Sequence, residues 1–220
     1  MTFTQSAKSI HVMKTPIKTL IAGCLIGSFS PAFAASTVDL TVKGLIVPSA
    51  CTPSLSANTV DVGRVSVKDL NQDSRTLLTP TTLTLSVNCL SPTLFAMKAT
   101  DNRADSSITV SEFGVGKTAT GEHIGGYILL LDNAIADTAT VLPIASVDNG
   151  TTWSRQWNDD AWATSVLLSI KAASGALIPI PAKDTQMALS VNPFINPAKN
   201  VTITEDTPID GSATIEVKYL

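Results

Sequence analysis

Val38, Leu40 and Val42 alternate with Asp39, Thr41 and Lys43. That period of two marks a strand with one buried face. Short runs of the same kind follow at Thr59–Val67, Thr81–Cys89, Leu94–Ala99, Tyr127–Leu131, Thr140–Val147, Ser165–Ala172, Met187–Val191, Asn200–Thr204 and Ser212–Leu220. Turn pairs punctuate them at Asn149-Gly150, Asn192-Pro193, Asn196-Pro197 and Asp210-Gly211. No longer window carries a clear helical period. Many short strands separated by Gly, Pro and Asn predict an all-β sandwich. Neither a repeat nor a linker divides the chain after its leader, so one domain is expected. Its middle, 100–163, is expected to carry long loops or an extra hairpin.

Two strands stand out, one near each end. The first lies within 35–47, with Val38, Leu40, Val42, Gly44 and Ile46 on one face. An apolar strand face at a new N-terminus needs a groove to receive it, because such termini are normally frayed and polar. The second has Ala213, Ile215, Val217 and Tyr219 on one face and Thr214, Glu216 and Lys218 on the other.

Residues 1–34 read as a removable leader. Lys14 and Lys18 precede an apolar run, and Pro31 leads into Ala32-Phe33-Ala34, an A-x-A cleavage signal. The cut is expected after Ala34, and the leader is complete whether translation starts at Met1 or at Met13. Ile21-Ala22-Gly23-Cys24 offers a rival, lipidation at Cys24, but the apolar stretch before it is short. Losing Lys8, Lys14 and Lys18 from 15 basic residues leaves 12 against 18 acidic ones, a balance of −6. An acidic chain disfavours nucleic acid and anionic membranes as partners. Cys24 leaves too, so Cys51 and Cys89 remain as a pair. In an oxidising compartment such a pair is expected to be bridged.

These features resemble a chaperone–usher pilin. The resemblance rests on Val38-Asp39-Leu40-Thr41-Val42-Lys43-Gly44-Leu45-Ile46-Val47 running into Cys51, on the Cys51/Cys89 pair, and on the penultimate Tyr219. Ala50-Cys51-Thr52-Pro53-Ser54-Leu55, Asp69-Leu70-Asn71, Thr100-Asp101-Asn102-Arg103 and the ending 210–220 are similar to an uncharacterised fimbrial-like family of secreted bacterial proteins. The resemblance implies an immunoglobulin-like sandwich over 48–220 that lacks one strand. It implies a Cys51–Cys89 disulfide and an acceptor groove bordered by Ala213, Ile215, Val217 and Tyr219. A donor strand, 35–47, would complete a neighbour by strand addition. The implied partners are identical or related pilin subunits, a periplasmic chaperone and an outer-membrane usher. The implied destination is a surface fimbria reached through the periplasm. No cofactor, metal or catalytic residue is expected.

Other motifs carry less. Gly114-Val115-Gly116-Lys117-Thr118 falls short of a phosphate loop, because Ser111 stands where its first glycine belongs. Ser146-Val147-Asp148-Asn149-Gly150-Thr151-Thr152-Trp153 matches an Asp-box, S-x-D-x-G-x-T-W. Sialidases carry several copies; a single one reads as a hairpin clamp. Trp153, Trp157 and Trp162 cluster near Arg155, Asp159 and Asp160. They make glycan contact by a minor or tip adhesin the alternative function, ahead of a sialidase-like hydrolase. His123 has no nucleophile motif beside it and reads as a surface histidine.

Overall fold

The computed structural model describes residues 50–220. The leader, Cys24 and the expected donor residues Val38, Leu40, Val42, Gly44 and Ile46 lie outside the described residues.

The described chain is all-β, with eleven strands: β1 (Cys51–Leu55), β2 (Thr76–Leu77), β3 (Thr81–Thr93), β4 (Phe95–Asp101), β5 (Phe113–Gly114), β6 (Gly125–Ala136), β7 (Ala139–Ser146), β8 (Ser154–Arg155), β9 (Leu167–Ala172), β10 (Ala182–Ile195) and β11 (Ala213–Tyr219). Three single-turn 3-10 helices, Val67–Asp69, Ala104–Ser106 and Ala198–Asn200, sit in connections. Neighbouring strands follow the order β1-β3-β10-β6-β7-β9-β4-β11, all antiparallel. β7 pairs with β6 at two positions and then continues beside β9, which carries the path from one sheet to the other.

Alternation places the core between the sheets. Leu85 and Val87 of β3, Leu129 and Leu131 of β6, and Met187 and Leu189 of β10 point inward. Phe95 and Met97 of β4 and Leu168 and Ile170 of β9 meet them from the other sheet. Fully burying an aliphatic side chain of this size contributes roughly 1.5–3 kcal/mol, so these two layers supply most of the driving force. Trp162 fills the same core and donates its indole N–H to the Val166 carbonyl at 3.2 Å.

The expected disulfide is present. Cys51 and Cys89 are bonded across a directly opposed pair of β1 and β3. The extra hairpin expected in 100–163 is also present, as β6 and β7 joined by a turn in which Asp137 and Thr138 have φ of 47° and 73°.

Two expected strands are not formed. In Thr59–Val67 the side chains of Val60, Val62 and Val65 are half-buried, yet no ladder forms; the Gly63 N–H goes to Asp61 Oδ1 at 2.8 Å. The alternation is real, but the segment has no partner strand among the described residues. In Asn200–Thr204 the Thr202 N–H and hydroxyl both go to the Glu122 carboxylate, at 2.6 and 2.9 Å. A side chain there takes the donors that a ladder would have used. Those bonds to Thr202, with further ones from Thr118 and Thr120, hold the Glu122 carboxyl below the usual range.

Candidate functional site: a seam between the first and last strands

β1 and β11 are the two ends of the strand path, and no backbone ladder joins them. At one end of the molecule a side chain closes the gap: the Cys51 N–H donates to the Tyr219 hydroxyl at 2.9 Å. Tyr219 stands opposite Phe95 in the β11–β4 register, so its phenol reaches across from one sheet to the other beside the disulfide. Away from this disulfide end the seam widens into a cleft of about 1350 Å³. That exceeds the roughly 300–1,000 Å³ of ordinary small-molecule pockets.

The cleft is apolar at depth. Leu83, Leu85 and Leu129 form its floor, with Leu189, Val191 and Ile195 of β10. Val60, Val62 and Val65 stand along one wall, in the segment that alternates without a ladder. Ile203, Ile209, Ala213 and Ile215 stand along the other. Several of these wall residues are only half-buried, unlike the core behind them.

Tyr127 lies deep in the cleft, its ring stacked on Phe113 with centroids 5.2 Å apart. Burial, with the nearby Asp101 carboxylate, pushes the Tyr127 phenol well up, so it stays protonated. Gly211 packs on this ring. A Cβ there would sit 2.7 Å from a Tyr127 ring carbon, a distance that real contacts do not reach. Asp210-Gly211, expected as a turn, is therefore a close approach in extended backbone instead.

Two sequence motifs meet at the far end of the seam. In Thr100-Asp101-Asn102-Arg103, the buried Asp101 carboxylate accepts from the N–H groups of Arg103 and Gly114, at 2.8 and 2.9 Å. Asn102 binds Ser212 and Thr214 through its side-chain amide, at 3.0 and 3.1 Å, and Arg103 pairs with Asp210. The start of β11 is thus tied to the end of β4 by side chains as well as by the ladder. Gly114, suspected in the phosphate-loop fragment, packs where a Cβ would meet Ser106 Oγ at 2.2 Å and the Arg103 carbonyl at 2.6 Å. Its role is packing.

The expected groove residues divide. Ala213 and Ile215 border the cleft, Val217 packs beside the core, and Tyr219 bridges the seam at its disulfide end. Sequence reasoning missed Tyr127 and the 203–212 wall. It recognised the alternation of Val60 and Val62 but assigned them a ladder.

The tryptophans do not gather on one surface. Trp162, expected among the possible glycan contacts, is fully buried, because its large ring fills the space between the sheets. Trp153 is half-buried. Trp157 is exposed, but the Arg155 guanidinium lies 4.0 Å from its ring centroid and covers one face. The Asp-box is a closed turn. Asp148 accepts from Ser146 Oγ (2.7 Å), the Thr152 N–H (2.8 Å) and Thr152 Oγ1 (2.6 Å), while the Gly150 N–H donates to Ser146 Oγ (2.8 Å). These bonds lower the Asp148 carboxyl to about 2. His123 is half-buried, with Nδ1 2.7 Å from the Ser106 carbonyl, so that nitrogen carries the proton. Among the described residues no group of three or more His, Cys, Asp and Glu is placed to hold a metal.

Fold and seam together define a class: a disulfide-linked, all-β sandwich whose strand path stays open between its first and last described strands. Comparison with known proteins gives two kinds of similarity. A family model described as a protein of unknown function, DUF1120, matches residues 40–112. That stretch contains both cysteines, the unpaired valine wall and β4. Over 93% of its length the chain is 28% identical to the uncharacterized protein YhcF of Escherichia coli strain K12, covering 99% of that protein. Over 91% it is 24% identical to protein GltF of the same strain, covering 96% of it.

Proposed function

We propose that the protein is a non-catalytic structural subunit of a bacterial surface fibre, and that its cleft receives a strand from a neighbouring subunit. The observation that carries this reading is the open seam: a cleft of about 1350 Å³ with an apolar floor, beside an edge of β11 that has no partner strand among the described residues. An exposed strand edge beside apolar surface invites pairing with another chain. A strand fits both requirements, since its backbone satisfies the edge and alternate side chains fill the floor.

Residues 35–47 supply such a strand. Val38, Leu40, Val42 and Ile46 would enter the cleft, and Gly44 would let the backbones approach closely. Burying four such side chains contributes about 6–12 kcal/mol before ordering costs. The strand is placed antiparallel to β11. That pairing is the more stable arrangement on a regular strand, and β11 is regular whereas 59–65 is not. A periplasmic chaperone would cover the cleft before assembly, and an outer-membrane usher would pass subunits to the surface. Sugar binding draws less support, because Trp162 is buried and one face of Trp157 is covered.

The test is thermal unfolding with a synthetic peptide of residues 35–47. At a hundredfold excess over its Kd, the peptide raises stability by about 2.7 kcal/mol. A peptide carrying Leu40→Asp leaves the transition where it was. An unshifted transition with the native peptide would overturn the proposal.

A further inference from the structure

We infer that the disulfide end of the molecule is a second contact surface, packing against the far end of the next copy beside its cleft. This rests on the strand-donation reading above and adds to it a contact outside the cleft.

Six large apolar side chains are exposed at this end: Leu90, Leu94, Leu177, Ile178, Tyr219 and Leu220. Leu90 is 79% exposed, although it directly follows the buried Cys89. Scattered exposed hydrophobics are ordinary, but the backbones beneath these six converge. Leu90 lies near the end of β3, and Leu94 is the single residue that joins β3 to β4. The Leu220 N–H donates to the Leu94 carbonyl at 3.2 Å. Tyr219 reaches Cys51, and Leu177 and Ile178 precede Ala182, which pairs with Thr93. An exposed apolar surface gathered in one place marks an interaction site.

The tether says what covers it. Ala50 lies at this same end, its carbonyl accepting from the Leu90 N–H at 3.2 Å. A donated strand antiparallel to β11 runs toward the end of the acceptor that holds Ala213, so Val47 lies there. Three chain steps separate Val47 from Ala50, a reach of about 10 Å when fully extended. So short a link brings the donor's disulfide end against the acceptor's far end. The acceptor presents Val67, Leu77, Ile108 and Val110 exposed in the connections and short strand there. The occupant is therefore a second copy of this chain, seated head to tail.

The experiment uses the full chain after export and two readouts: melting with the 35–47 peptide, and self-association by sedimentation velocity. The double variant Leu90→Ser, Ile178→Ser changes side chains that do not line the cleft. It is expected to melt and to bind peptide like the parent while associating at least about tenfold more weakly. Inserting six Gly/Ser residues between Val47 and Ala50 leaves the folded domain unaltered. It is expected to weaken association by a similar factor, because it releases the two ends from each other. Undiminished association in both variants, with peptide binding intact, would overturn the second surface and leave strand donation standing. Failure of the parent to bind peptide would overturn strand donation, and this inference with it.

Discussion

The β3–β10–β6 ladder and the β1/β11 seam are built from similar residues and behave differently. In the ladder β10 is paired along nearly its whole length on both sides, and its inward Met187 and Leu189 are fully buried. At the seam Ile215 and Val217 also alternate with polar residues, yet they are half-buried and their strand has one neighbour among the described residues. Composition is therefore not what separates a finished edge from an unfinished one. The number of neighbours is. A period of two reports that a segment has an apolar face; it does not report whether the partner for its backbone belongs to the same molecule.

The contrast is broken most strongly from the interior. Trp162→Ala is expected to cost about 3–5 kcal/mol, whereas Ile215→Ala at the seam is expected to cost under about 1.5 kcal/mol, since much of its surface already meets water. Urea unfolding of both variants measures the difference; equal losses would mean that the seam is as tightly packed as the core. Next comes the crosslink. Replacing Cys51 and Cys89 with serine frees a 38-residue separation and is expected to cost about 3–4 kcal/mol in the chain-entropy model. The same loss should appear on reduction of the parent. Tyr219→Phe removes one hydrogen bond at the disulfide end, for an expected cost of about 0.5–1.5 kcal/mol. Amide exchange at Cys51 should quicken while the β10 amides stay protected, which would localise the effect to the seam.

The smallest effect should belong to the Asp-box turn, whose Gly150 packs beside Leu220. The Asp148 carboxyl is lowered from 3.8 to about 2 in the folded state. Its stabilising contribution is therefore fully present above pH 4 and is lost as the pH falls through about 2. Asp148→Asn should melt below the parent at pH 7, and the gap should close near pH 2. A gap that persists unchanged at pH 2 would mean the turn owes nothing to the carboxylate's charge.

Much of this was legible in the residues, for identifiable reasons. Thr81–Cys89 announces β3 because every second residue is apolar, and the lone cysteine pair announces its own bond. Met187–Val191 gives only the centre of β10, because Asn192-Pro193 reads as a turn. In the fold Pro193 stays in the strand. It sits between the β3 ladder, whose last pair is Thr81 with Val191, and the β2 ladder at Phe194 and Ile195, and its carbonyl accepts from the Leu78 N–H. Thr59–Val67 reads as a strand because its pattern is that of one; what it lacks is a partner strand among the described residues, which local pattern does not encode. Tyr127 escaped notice because its role comes from Gly211 and Asp101, distant in sequence and adjacent in space.

The position of the crosslink along the chain has a consequence for synthesis. Cys51–Cys89 needs only the first 89 residues, whereas β11 is made from the last eight. A polypeptide emerging N-terminus first can thus oxidise and secure one lip of the opening long before the opposite lip exists. The last strand to be made therefore meets an edge that can already be crosslinked.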